Sequence, residues 1–300
     1  MRTGTRIAAF IVALATVFAV AIWVGKTVGP DGAAPQHTAP AAADEPPAGL
    51  QSTQDGHTLD LAETIYPADP ESVLRFRILG ADGTPVTRYD EAHDKLMHLI
   101  VVRNDLTAYQ HLHPVLDPSG DWQVPADLSR PGDYRVFADF VPTGGPHLTL
   151  GANIHVGGDY DPRPLPAVQA RSAVDGYTVT LTGTPKAGEA SMLTLSVAHD
   201  GAPTDDLQPY LGAYGHLVAL RAADLAYLHV HPAGESGDGT TAAGPDIDFH
   251  TTFPSSGDYR LFLDFQHGDV VRTAEFTVSV DEAEQAPATT AEHSDDDHGH

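Results

Sequence analysis

Histidine is the residue type in this 300-residue chain whose placement points to chemistry; there are 17. Six of them fall in the pattern H-x12-H-x-H-P, which occurs twice: His98, His111 and His113, then His216, His229 and His231. Converging imidazoles suit Zn(II), Cu(II) or Ni(II), and three of them leave a fourth position open for water, substrate or another ligand. Each set lies on two strand-like segments joined by a short turn. A hairpin closing through Asn104-Asp105 puts His98 directly opposite His111, and one closing through Ala222-Ala223 does the same for His216 and His229. Opposed residues have Cβ atoms about 4.5–5.5 Å apart on one face, and the residue two further on shares that face. His113 and His231 therefore join the patch, provided that no bulge shifts the register by one. His93, five residues before His98, is expected to face away.

Other residues near this pattern have narrower roles. Tyr109 and Tyr227 fall on the His face, as packing groups or as donors near the ligands. Asp139 and Asp264, in a repeated D-F ending, share a strand face with Arg135 and Arg260. That suits an ion pair, or a carboxylate that orients a ligand imidazole. His147, His155, His250 and His267 do not recur at matching positions. The last residues, EHSDDDHGH, hold His293, His298 and His300 among acids, which reads as a solvated tail or a loose scavenger of divalent cations.

Composition removes several alternatives. With 41 acidic residues against 16 basic ones the formal charge is −25, and such a chain repels phosphate backbones, so nucleic acid is excluded as a partner. There is no Cys, hence no thiolate zinc site, iron–sulfur cluster, blue-copper site or thiol nucleophile. With only 3 Met as well, a soft Cu(I) site is disfavoured; the expected cofactor is a divalent transition metal, Cu(II) or Zn(II).

The elements that must position these side chains come from a duplication. Residues 71–114 align without a gap on 189–232, and GDYRVFADF (132–140) matches GDYRLFLDF (257–265). Short alternating strands with Gly, Pro and Asp turns between them are expected at 58–63, 73–79, 96–103, 107–113, 134–140 and 148–156. The second copy offers 178–183, 192–198, 215–221, 225–231, 259–265 and 272–280. This spacing predicts an all-β chain of two tandem Ig-like or cupredoxin-like β-sandwich repeats behind an N-terminal transmembrane anchor. The expected boundaries are an anchor or signal peptide at 1–29, a Pro/Ala-rich tether at 30–56 and the first sandwich at 57–157. A connector follows at 158–175, then the second sandwich at 176–280 and the acidic tail at 281–300. The anchor rests on the uncharged apolar run 7–24, long enough at roughly 1.5 Å per residue to cross a hydrocarbon core of about 30 Å. Arg2 and Arg6 before it place the bulk of the chain outside the cytoplasm.

At the HLHP and HVHP blocks, the DG turns and the GDYR blocks, the chain resembles membrane-anchored or secreted actinobacterial proteins described as heavy-metal-binding. More distantly it is similar to extracytoplasmic β-sandwich domains of the FixH/YtkA type and to CopC-type copper carriers, although it lacks the Met-rich stretches of the latter. The resemblance covers both repeats and implies a metal-handling role at the cell surface. Three functions from different classes follow. One is a binding module that captures or buffers a divalent transition metal. Another is a three-His zinc or copper enzyme of the carbonic anhydrase or dismutase kind. The third is a structural module of a membrane complex with the histidines at an interface.

Overall fold

The computed structural model describes residues 47–283. The expected anchor at 1–29, residues 30–46 of the tether and the tail residues His293, His298 and His300 lie outside the described residues. Among the described residues no helix is long and apolar enough to cross a membrane, and the regular structure consists of 21 strands.

Each copy is a two-sheet sandwich. In the first, one sheet runs Thr53–Gln54, His57–Leu61, Asp69–Leu79, Asp121–Leu128, Val115–Leu116. Its partner runs Ile65–Tyr66, Leu148–Val156, Gly132–Pro142, His98–Arg103, Gln110–Leu112. In the second copy, Arg171–Val174, Tyr177–Thr182, Ala190–His199, Asp246–Thr252 and His231–Pro232 form one sheet. Val270–Val280, Gly257–His267, His216–Arg221 and Tyr227–His229 form the other. The all-β tandem architecture is the expected one. Two short strands, Thr53–Gln54 and Arg171–Val174, lie upstream of the expected starts at 57 and 176 and extend each sandwich into the tether and the connector.

Burial explains how the copies meet. Asp121–Leu128 alternates buried and exposed positions, the pattern of a strand with one face on a core and one in water. His98–Arg103, sequence HLIVVR, is buried at every position. Leu99 and Val101 point into the first sandwich's own core. Ile100 and Val102 point the other way and join Phe137 with Val218, Leu220, Tyr227 and Phe262 in a third core that belongs to neither sandwich alone. The repeats thus pack sheet on sheet through their His-bearing sheets. The contacts are reciprocal: Tyr109 stacks on Phe262 with ring centroids 4.0 Å apart, and Tyr227 packs against Phe137 at 5.6 Å. Burying each of these rings contributes about 1.5–3 kcal/mol.

A strap from the expected tether crosses this seam. Gly49 N–H donates to the Thr149 carbonyl, Gly151 N–H donates to the Gln51 carbonyl, and the Tyr227 N–H of the other copy donates to the Ala48 carbonyl. Gly49 has φ of +73°, and a Cβ on it would sit 2.5 Å from the Phe137 ring. Only a residue without a side chain lets the strap lie this close.

Candidate metal centre

The hairpins that carry the triads do not close as expected. In the first copy, Arg103 N–H donates to the Thr107 carbonyl and Leu106 N–H donates to the Arg103 carbonyl, so three residues turn the chain instead of two. Ala108, at φ of +52°, is then an extra residue before the ladder resumes. Ile100, not His98, stands opposite His111. The second copy turns through four residues, with Arg221 N–H donating to the Ala226 carbonyl, and Val218 stands opposite His229. Both expected pairings are off by two residues. A shift of two keeps every side chain on its face where a shift of one would not, so His98, His111 and His113 still converge.

Their ligand nitrogens all lie within 4.8 Å of one another. His98 Nδ1 is 3.0 Å from His111 Nε2, and His98 Nε2 donates to the Ala92 carbonyl at 2.9 Å. Nε2 of His113 is buried with no hydrogen-bond partner among the described residues. Burial, then proximity to His111, pushes His98 down to about 4. Burial, then His111 and His98, pushes His113 down to about 3. Both rings are therefore neutral near pH 7, the form that binds metal.

The second repeat contributes directly to this cluster. The His216 ring is stacked on His98 at 5.4 Å between centroids and lies 4.8 Å from His111. Asp264, at the ladder position opposite His216, accepts a hydrogen bond from His111 Nδ1 at 2.8 Å. For His229 and His231 only the backbone is described: His229 lies on the strand paired with His216–Arg221, and His231 pairs with His250 on the other sheet.

Two expectations are corrected here. His93 does not face away: the strand begins only at His98, and His93 lies in the preceding turn with φ of +50°. Its ring comes to 6.1 Å from His98 and 5.6 Å from His216. Of the two readings of Asp264, the carboxylate that holds an imidazole is the one found, while Arg260 pairs with Glu275 instead. Asp139 pairs with His147 and accepts from the Tyr227 hydroxyl, and Arg135 is taken up by the Gly49 carbonyl and Asn153. Tyr109 and Tyr227 are packing groups, Tyr227 buried and Tyr109 partly buried. Burial, with Asp264 nearby, holds the Tyr109 hydroxyl well above the usual phenol range.

A cleft of about 740 Å³ adjoins the cluster, lined by Glu91, His93 and Asp94 of the first repeat and Leu211, Gly212 and Glu235 of the second. A cation approaching the histidines from this side meets carboxylates first.

Fold and site together define a tandem β-sandwich with a buried histidine cluster at the joint between its repeats. The chain belongs to the family described as domain of unknown function DUF8832, whose pattern matches residues 52–158 and again 172–282. No curated protein matches. Among solved structures, domains 4–9 of the surface-layer protein SbsC align at 10% identity and TM-score 0.23, over 77% of this chain and 32% of that one. The chain thus spans about a third of that relative. The N-terminal Ig1-2 module of the Drosophila receptor protein tyrosine phosphatase DLAR aligns at 8% identity and TM-score 0.20, over 75% and 96%. A Salmonella alpha-2-macroglobulin aligns at 14% identity and TM-score 0.26, over 81% and 16%.

Proposed function

We propose that this protein captures or buffers a divalent transition metal, Zn(II) or Cu(II), with His98, His111 and His113 as ligands. One observation carries the reading. Three imidazole nitrogens converge within 4.8 Å in a buried pocket, and one of them, His113 Nε2, has no hydrogen-bond partner among the described residues. A buried polar atom left unpaired costs about 1–3 kcal/mol, and a bound metal removes that cost. His216 brings a further imidazole from the other side of the joint, and His229 and His231 are candidate ligands by the sequence pattern alone. The adjoining cleft also gives a small substrate access, so hydration and dismutation assays on the metal-loaded protein separate storage from three-His catalysis.

The apolar run 7–24 behind Arg2 and Arg6 supports an extracytoplasmic location, anchored or released after cleavage. Cell fractionation tests this, and a cytoplasmic product would reject it. For the metal itself the experiment is calorimetric titration of the chain truncated at residue 281, which removes the competing tail histidines, with Zn(II) and with Cu(II). The expected result is tight binding by the parent chain and at least about 100-fold weaker binding by the His98→Ala, His111→Ala double variant. Equal affinities would reject the metal reading in favour of a structural joint.

A further inference from the structure

We propose that Asp264 is a positioning residue: contributed by the second repeat, it fixes the metal-ligating tautomer of His111 in the first, so the site is complete only when the two repeats are docked. This rests on the metal reading above and adds what holds the ligands ready. The side chains of His111 and Asp264 are 3% and 2% exposed, and they belong to residues 153 apart in sequence.

The hydrogen bonds settle where the protons sit. A carboxylate only accepts, so the His111 Nδ1 that faces Asp264 carries hydrogen, which leaves Nε2 as the nitrogen for a metal. The other Asp264 oxygen takes the Thr273 hydroxyl, which fixes the rotamer of the carboxylate. On the other ring, His98 Nε2 faces the Ala92 carbonyl, also an acceptor only. It therefore carries hydrogen, and the lone pair of His98 is on Nδ1. His98 Nδ1 and His111 Nε2 face each other across 3.0 Å. With hydrogen on the two outer nitrogens, these inner nitrogens are the ones available to a metal. Nitrogens bound to one zinc at about 2.0–2.1 Å, with angles near tetrahedral, stand about 3.3 Å apart. The pair is thus spaced for a metal cation between them.

Of the two acceptors that set this arrangement, Ala92 belongs to the same repeat as both rings and Asp264 does not. Removing Asp264 frees His111 to take the other tautomer, with hydrogen on the nitrogen that must ligate. Its negative charge also favours a metal cation held at His111. By linkage, whatever the metal gains from Asp264 it returns to the docking of the repeats.

The test uses the full chain, with Zn(II) calorimetry, the visible spectrum of bound Co(II), and the imidazole nitrogen NMR spectrum of the metal-free protein. The variants are Asp264→Asn, Asp264→Glu and His111→Ala. Asp264→Asn is expected to keep the fold, weaken Zn(II) by about 10–100-fold, alter the Co(II) spectrum and shift His111 toward hydrogen on Nε2. Asp264→Glu is expected to restore part of the affinity. A purely structural role would move stability and leave the tautomer and the Co(II) spectrum unchanged. If the parent chain binds no metal, the metal reading itself fails. If His111→Ala abolishes binding while Asp264→Asn binds like the parent with an unchanged tautomer, the metal reading stands and the positioning role is overturned.

Discussion

The two His-bearing hairpins are copies of one sequence block, yet they turn by different routes. The first uses a three-residue turn followed by the extra residue Ala108, and buried Arg103 braces it by bonding Asp105. The second uses a four-residue turn braced by Arg221 and Asp224. Both shift their ladders by the same two residues from the tightest closure. The turn is free to vary; the parity is not, because an odd shift would carry His111 away from His98 and Tyr109 away from Phe262. The carboxylate opposite the first histidine of each copy is bonded across the joint. Asp264 receives His111 from the first repeat, and Asp139 receives Tyr227 from the second as well as His147 from its own.

The reciprocity of the joint is the part of this comparison with the largest energy. Phe137→Ala and Phe262→Ala are each expected to cost about 3–5 kcal/mol, read from the denaturant midpoint. A large loss for one and none for the other would show that the two contacts are not equivalent. Next comes pH. His98 and His113 accept protons near 4 and 3 when folded, against about 6.5 when unfolded. The unfolded chain therefore holds more protons in between, and stability should fall as pH drops from about 6.5 toward 4, by on the order of 3 kcal/mol for His98 alone. His147, raised by Asp139, works with the opposite sign. Unfolding curves of the metal-free protein at pH 7 and 4.5 measure the net slope, and His98→Asn should flatten it.

Gly49→Ala should loosen the strap, through strain at positive φ and the clash with Phe137, by roughly 1–3 kcal/mol. Hydrogen exchange at the Tyr227 amide, which the strap covers, should rise with it. The smallest effect tests the two turns against each other. Ala108 sits at positive φ and its counterpart Ala226 does not. Ala108→Gly should therefore be neutral or stabilising by up to about 1 kcal/mol, and Ala226→Gly destabilising by about 0.5–1 kcal/mol. Equal effects would mean that the turns are alike.

The tandem sandwiches were legible because the duplication and the strand alternation are local and periodic. The convergence of His98, His111 and His113 was legible because it depends only on parity, which survived the longer turn. The joint was harder to read, although HLIVVR and HLVALR mark it: neither run has polar residues at alternate positions to face water, so both faces need covering. His93 was missed because a left-handed turn, not a strand, carries it. Asp264 was placed on the right face, but nothing near it in sequence names His111, since their contact exists only once the sheets have packed.

The reciprocal packing of Tyr109 on Phe262 and Tyr227 on Phe137 has the arrangement of a closed homodimer, in which one surface meets its own copy. Here both surfaces belong to one polypeptide. Association that would otherwise depend on protein concentration becomes intramolecular, with a short connector supplying an effective concentration in about the millimolar range. The joint between the copies therefore stays assembled at any dilution, and no molecule has to find a partner first.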